Sequence, residues 1–300
     1  MKYFSHTVLF SCLVLLSSCG GENENFDAEG NFEATEVIVS SEASGKILKF
    51  DIQEGQVLKT GQITATVDSL QLFLQRNQLI ANIGNAQSRR PDVKVQIAAA
   101  EEQLSAAKIE QARVERLFKD GIDTQKQLDD INAQVELYQK QLIAQKISLE
   151  SENRGISDEI LALNNQVKQL DDQLQKCNVV SPINGTVLVK YAQAGELAST
   201  GKALFKIADL DNMFLRAYIT GSQLTKIKIG QSLKVFTDFG TGANREYAGT
   251  VAWISGKSEF TPKSVLTRDE RENLVYAVKI AVKNDGYLKI GMYGRIKFKE

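Results

Sequence analysis

Histidine and cysteine are the usual carriers of nucleophilic and metal chemistry, and this chain has few of them. His6 is the only histidine, and the cysteines are Cys12, Cys19 and Cys177. Cys19 follows Leu16-Ser17-Ser18, at the end of an apolar run from Val8 to Leu16 that is too short to span a bilayer and that follows Lys2. This is the pattern of an N-terminal leader cleaved at its small residues. Cleavage before Cys19 removes His6 and Cys12. The remaining chain then holds no Ser-His-Asp or Cys-His catalytic set and no His/Cys zinc set. Cys177 is left without an internal partner, as a lone buried thiol would be. Met213 and Met292 are too few for a thioether copper site. The acidic pairs Asp129-Asp130 and Asp171-Asp172 fall in helical stretches and read as solvated surface rather than as a general acid/base couple. The formal net charge of -1 gives no reason to expect a nucleic-acid partner.

Outside the leader, the strongest pattern is a glycine ladder written twice. Gly45, Gly55 and Gly61 reappear as Gly185, Gly195 and Gly201, each 140 residues further along. The residues between them match as well: Ile47 with Val187, Leu48 with Leu188, Val57 with Leu197, Thr60 with Thr200 and Val67 with Ile207. Such glycines mark tight β turns, so the two copies read as two short β units of one kind.

Between the copies, from Ser69 to Cys177, glycine and proline nearly vanish and apolar residues recur at steps of three and four. The first run is Val93, Ile97, Ala100, Leu104, Ala107, Gln111, Val114, Phe118. The second is Leu128, Ile131, Val135, Tyr138, Leu142, Gln145, Leu149, and the third is Ile160, Leu163, Val167, Leu170, Leu174, Cys177. That spacing is a coiled-coil seam. Gly121 suits a helix end, and Asp123 or Thr124 suits the next helix start, so the chain turns back there. In an antiparallel hairpin, paired residues have a constant sum of numbers. Pro91 with Gly155 and Asp68 with Asn178 share one such sum, which predicts that both arms break at the same height and end at the same height. Arg113 and Leu117 lie one turn apart near the tip, with Leu117 beside the seam rather than in it.

After the second copy, alternating segments predict strands over Met213–Ile219, Ser232–Asp238, Tyr247–Ile254, Leu274–Val282 and Gly294–Phe298. A short helix is expected over Ser222–Ile227, and a charged loop over Ser258–Glu272. The expected organisation is a leader over 1–18, a flexible tether over 19–33, a first half-domain over 34–68 and a helical hairpin over 69–177. A second half-domain follows over 178–210, then a β-barrel over 211–300. The fold class is α+β and elongated: a split β-sandwich with an inserted coiled-coil hairpin, followed by a small barrel.

Leu16-Ser17-Ser18-Cys19 resembles a bacterial lipobox, which implies acylation of Cys19 and anchoring by more than one acyl chain. The lipobox, the half-motif Ser44-Gly45-Lys46-Ile47, the hairpin and the half-motif Ser181-Pro182-Ile183-Asn184-Gly185-Thr186-Val187 follow in order. Together they resemble the HlyD-type membrane fusion proteins, the periplasmic adaptors of Gram-negative export machines. The resemblance implies a biotinyl/lipoyl-like sandwich whose halves reunite at the hairpin base, and self-assembly, as a hexamer. The implied partners are an inner-membrane transporter and a TolC-like outer-membrane duct. The implied place is the periplasm, with a lipid anchor in the inner membrane. The family docks its duct through an arginine, a leucine and a serine at the hairpin tip, which here correspond to Arg113, Leu117 and Thr124. The segments Glu259-Phe260-Thr261-Pro262-Lys263 and Thr267-Arg268-Asp269-Glu270-Arg271 look most like adaptors of ABC-type exporters, with RND- and MFS-type transporters as alternatives. True lipoyl domains carry a modified lysine on the turn joining the halves. The hairpin replaces that turn, and Lys46, Lys59 and Lys190 lie elsewhere, so no lipoyl or biotinyl cofactor is expected. Two other readings start from the same residues: a carrier protein, and an envelope-spanning structural rod.

Overall fold

The structure, a computed structural model, describes residues 26–240, 243–259 and 274–298. The leader, Cys19 and most of the charged loop after Glu259 lie outside the described residues. Twelve strands are described: β1 (Ala28–Ser40), β2 (Gly45–Phe50), β3 (Val57–Leu58), β4 (Ile63–Val67), β5 (Asn178–Val180), β6 (Gly185–Lys190), β7 (Leu197–Ala198), β8 (Ala203–Thr220), β9 (Ser232–Asp238), β10 (Asn244–Ile254), β11 (Val275–Lys283) and β12 (Tyr293–Lys297). Three helices lie between β4 and β5: α1 (Leu70–Ser88), α2 (Val93–Lys119) and α3 (Gln125–Lys176).

The strands form two bodies that share β1 and β8. Six strands close a barrel in the order β1-β12-β9-β10-β11-β8, with β8 returning to β1. The second body is a sandwich: one layer continues from β8 through β6 to β3, and the other runs β5-β4-β2-β7. Glu29–Ala34 of β1 pairs with the barrel half of β8, and Thr35–Ser40 pairs with its sandwich half. The register shift between them falls where β8 spends three extra residues, 210–212. Each body has its own core: Phe32, Leu215, Val235 and Ile280 in the barrel, and Ile47, Leu58, Val187 and Phe205 in the sandwich.

This corrects the expected tether. Residues 28–33 are barrel strand, and Phe32 is only 1% exposed. The acidic Glu29 and Glu33 lie on the outer face, where Glu33 faces Arg216 and Lys279.

The two glycine copies are halves of one domain, and their hydrogen bonds are reciprocal. Gly61 N donates to Ser181 O and Gly201 N to Ser41 O, both at 2.8 Å. Gly55 N donates to Val187 O and Gly195 N to Ile47 O, again at 2.8 Å. Each half therefore closes the backbone of the other, and neither satisfies its own polar groups alone. Gly55, Gly61, Gly195 and Gly201 all take left-handed φ values, as tight turns require. Gly45 and Gly185 serve a different need, which is close approach. A Cβ on Gly185 would lie 2.4 Å from Ala208 O, whereas one on Gly45 would meet the Val67 side chain at 3.0 Å and Asp68 O at 3.2 Å. Gly185→Ala is expected to cost about 2 kcal/mol and to lower the melting temperature, whereas Gly84→Ala, at a helical position where a Cβ meets nothing within 4 Å, should not. Thermal melts of the two variants check this contrast.

The hairpin follows the predicted seam. Ile97, Leu104, Ala107 and Val114 of α2 are buried together with Ile131, Val135, Leu142 and Leu149 of α3. The seam glutamines bond across the arms: Gln111 to the Asn132 carboxamide at 2.7 Å, and Gln145 to Gln96 O at 3.1 Å. The ion pairs Arg76–Asp171, Arg89–Glu159 and Lys146–Glu101 also join the arms, and each keeps nearly the expected sum of numbers.

The first arm breaks between Ser88 and Val93, around Pro91, as expected. The second does not: α3 runs unbroken for 52 residues through Gly155. A single helical glycine costs about 1 kcal/mol relative to alanine, which packing on both sides, including buried Ile156, can offset. Only proline also removes a donor and clashes with the preceding turn. At 1.5 Å per residue, α3 is about 78 Å long.

Candidate functional site: the hairpin tip

The tip is built from two helix ends. The C-terminus of α2 closes as a Schellman motif, in which Ile122 N donates to Leu117 O at 2.9 Å and Gly121 N to Phe118 O at 3.0 Å. Gly121 occupies the left-handed position this requires, with φ of 76°. Two residues later Thr124 caps α3 in a capping box. Gln127 N donates to Thr124 Oγ1 at 3.3 Å, and Thr124 N donates to Gln127 Oε1 at 3.0 Å. The turn is thus fixed at both ends by its own backbone, which makes the tip a preformed surface.

The structure brings the predicted tip residues to one end but gives them unequal standing. Arg113 is open, its side chain 64% exposed and held by Glu110 at 2.7 Å. Leu117 is half-buried, and its carbonyl accepts the Schellman bond. Thr124 is exposed, and its hydroxyl donates to Gln127 Oε1 at 2.8 Å. A large apolar side chain open to a partner is one the sequence analysis did not single out: Ile122, at 71% exposure. Its signal was its place one residue after Gly121, where a Schellman motif sets an apolar residue beside Leu117.

The other candidate chemistry is committed to structure. Lys190 Nζ donates to Phe50 O at 2.9 Å and Ile52 O at 3.2 Å, and lies 4.5 Å from the centre of the Phe50 ring. Cys177 caps α3 in the sandwich core, where burial and then the nearby Asp68 carboxylate push its thiol above the ordinary range, away from thiolate reactivity. Asp171 pairs with Arg76, and Asp172 with Lys176. Among the described residues no cluster of three or more His, Cys, Asp or Glu could hold a metal, and no helix is long and apolar enough to cross a membrane.

A split sandwich carrying a preformed helical tip and followed by a barrel defines a membrane fusion adaptor. Comparison with known proteins agrees. Residues 35–209 match the family described as CzcB-like, barrel-sandwich hybrid domain, and the chain belongs to it. Its fold is that of the HlyD-type adaptors. It is 25% identical over 301 residues to the UPF0194 membrane protein YbhG of Salmonella gallinarum, covering 92% of this chain and 89% of that one. It is 24% identical over 293 residues to a UPF0194 membrane protein of Citrobacter koseri, covering 90% and 88%. Among solved structures, MacA from Actinobacillus actinomycetemcomitans superposes with a TM-score of 0.55 at 20% identity, over 91% of this chain and 78% of that one. The membrane fusion protein Spr0693 of Streptococcus pneumoniae R6 superposes with a TM-score of 0.51 at 15% identity, over 91% and 97%.

Proposed function

We propose that this chain is a periplasmic adaptor that couples an inner-membrane exporter to a TolC-like outer-membrane duct, with Arg113, Leu117 and Thr124 docking the duct. The observation that carries the reading is the root of the hairpin. Both arms start from one sandwich whose halves are bonded reciprocally, so displacement of the sandwich is passed to the hairpin and its tip. The shared strands β1 and β8 extend the same connection to the barrel. The exporter is of the ABC type, on the likeness of the segments after Ser258, and the adaptor acts as a self-assembled ring, a hexamer by family resemblance. Chemical crosslinking in intact envelopes, followed by affinity purification, tests the assembly. Recovery of both a transporter and a duct protein is the expected result, and recovery of neither sinks the proposal.

Cys19 is the acylated N-terminus that tethers the adaptor to the inner membrane. Cys19→Ala is expected to move the protein from the membrane pellet to the soluble periplasmic fraction and to abolish incorporation of labelled palmitate, because the anchor is the acyl chains and not a spanning helix. Unchanged fractionation and unchanged labelling would remove the anchor from the account.

A further inference from the structure

We infer that the break around Pro91 is a one-sided hinge: α3 acts as the flexure and the Arg89–Glu159 pair as its latch. Across the break the first arm holds itself together poorly. Arg89 N and Arg90 N reach back only to Ala86 O and Gln87 O, both at 3.2 Å, and Pro91 has no N–H to continue the ladder. Asp92 is extended and starts α2 anew by accepting from Val95 N at 3.3 Å. The angle between α1 and α2 is therefore set by what each residue of the break grips on α3.

Three grips exist. Arg89 Nη2 bonds both Glu159 oxygens, at 2.6 and 2.7 Å. Arg90 Nη2 bonds Ser157 Oγ at 2.9 Å. The Asn153 carboxamide reaches Pro91 O at 3.5 Å, too long to hold firmly. All lie on the short stretch of α3 that contains Gly155, the one glycine in that helix, whose missing Cβ would meet nothing within 4 Å. The seam also changes step at this height. Its alternation gives way to two steps of four in succession, Gln145 to Leu149 to Asn153, before Ile156 resumes it. Four inserted residues locally unwind a coiled coil. A weak helix residue, an unwound seam and a broken opposite arm thus coincide, and the charge-assisted Arg89–Glu159 pair is the strongest contact that spans them. The pair is partly exposed, with side chains 59% and 45% accessible, so it biases the angle rather than locking it. The hinge is a property of the hairpin itself, whatever the tip engages.

The test uses the full chain with Cys12 and Cys19 replaced by serine and spin labels at Asn77→Cys and Ser105→Cys, which flank the break on exposed positions of the first arm. Pulsed dipolar spectroscopy then reads the distribution of distances between them. Glu159→Ala is expected to broaden the distribution and raise the population of bent conformers about threefold. Gly155→Ala, which strengthens the helix and leaves every grip in place, is expected to narrow it. If neither variant changes the distribution, the hinge is overturned. It is equally overturned if Glu159→Ala lowers the helical circular dichroism signal at 25 °C, since the pair would then hold the arm folded instead of setting its angle.

Discussion

Gly30→Ala is expected to open the barrel. Gly30 lies between β12 and β8, paired with Gly294 on one side and Ala217 on the other. A Cβ there would fall 1.8 Å from Arg216 O and 2.6 Å from Ala217 Cα. Both obstacles are backbone, so no rotamer relieves the clash and the strands must part. Parting them uncovers Phe32 and undoes the seam that closes the barrel on itself. The cost is about 3 kcal/mol or more, at the high end for a single substitution, and corresponds to a drop in melting temperature of roughly 15 °C for a domain of this size. Glu29→Ala, one residue away on the outer face, should stay within about 0.5 kcal/mol of the parent. Paired melts decide the matter: equal melting of Gly30→Ala and the parent chain would mean that residues 28–34 are not a barrel strand.

That strand also shows where sequence reading stopped. Ala28, Gly30, Phe32 and Ala34 face inward while Glu29, Asn31 and Glu33 face outward, so the alternation is present. Only Phe32 among the inward residues is large and apolar. The stretch therefore carries almost no hydrophobic signal, and its acidity resembles a linker. Its partners, β8 and β12, lie far along the chain, and no local rule joins them to it. The sandwich was legible for the opposite reason. Its turns demand left-handed glycines at fixed spacing, so the pseudo-twofold relation between its halves is written in residue type. The hairpin register was legible because a proline and a turn glycine anchor it. Gly155 misled because a glycine in a sequence marks a weak point, and whether that point breaks depends on the packing along the whole arm. At the tip, Arg113, Leu117 and Thr124 were named by the family resemblance, whereas Ile122 needed the Schellman bond to place it.

At that tip, stability and function should separate. Arg113→Ala removes one exposed ion pair with Glu110, worth about 0.3 kcal/mol, so its melting curve should overlay the parent's. Leu117→Asp puts a charge on a half-buried side chain in the last turn of α2, at a cost of about 1–2 kcal/mol, borne by a helix end that the rest of the hairpin does not depend on. Both are nonetheless expected to reduce export-dependent resistance or secretion more than tenfold, if the tip is the docking surface. Thr124 is the sharper probe because its hydroxyl already has a structural task. Thr124→Ala loses the cap, at about 1 kcal/mol, and so cannot by itself distinguish docking from folding. Thr124→Asp caps as well as threonine does and should restore the helix start. Export restored by Thr124→Asp would assign Thr124 to capping alone and leave docking to Arg113, Leu117 and the neighbouring Ile122. Export lost in Thr124→Asp but kept in Thr124→Ser, with equal melting temperatures, would place the hydroxyl itself against the duct. Export unchanged in Arg113→Ala and Leu117→Asp, with the protein at normal levels in the envelope, would remove the tip from the mechanism and turn the hairpin into a spacer.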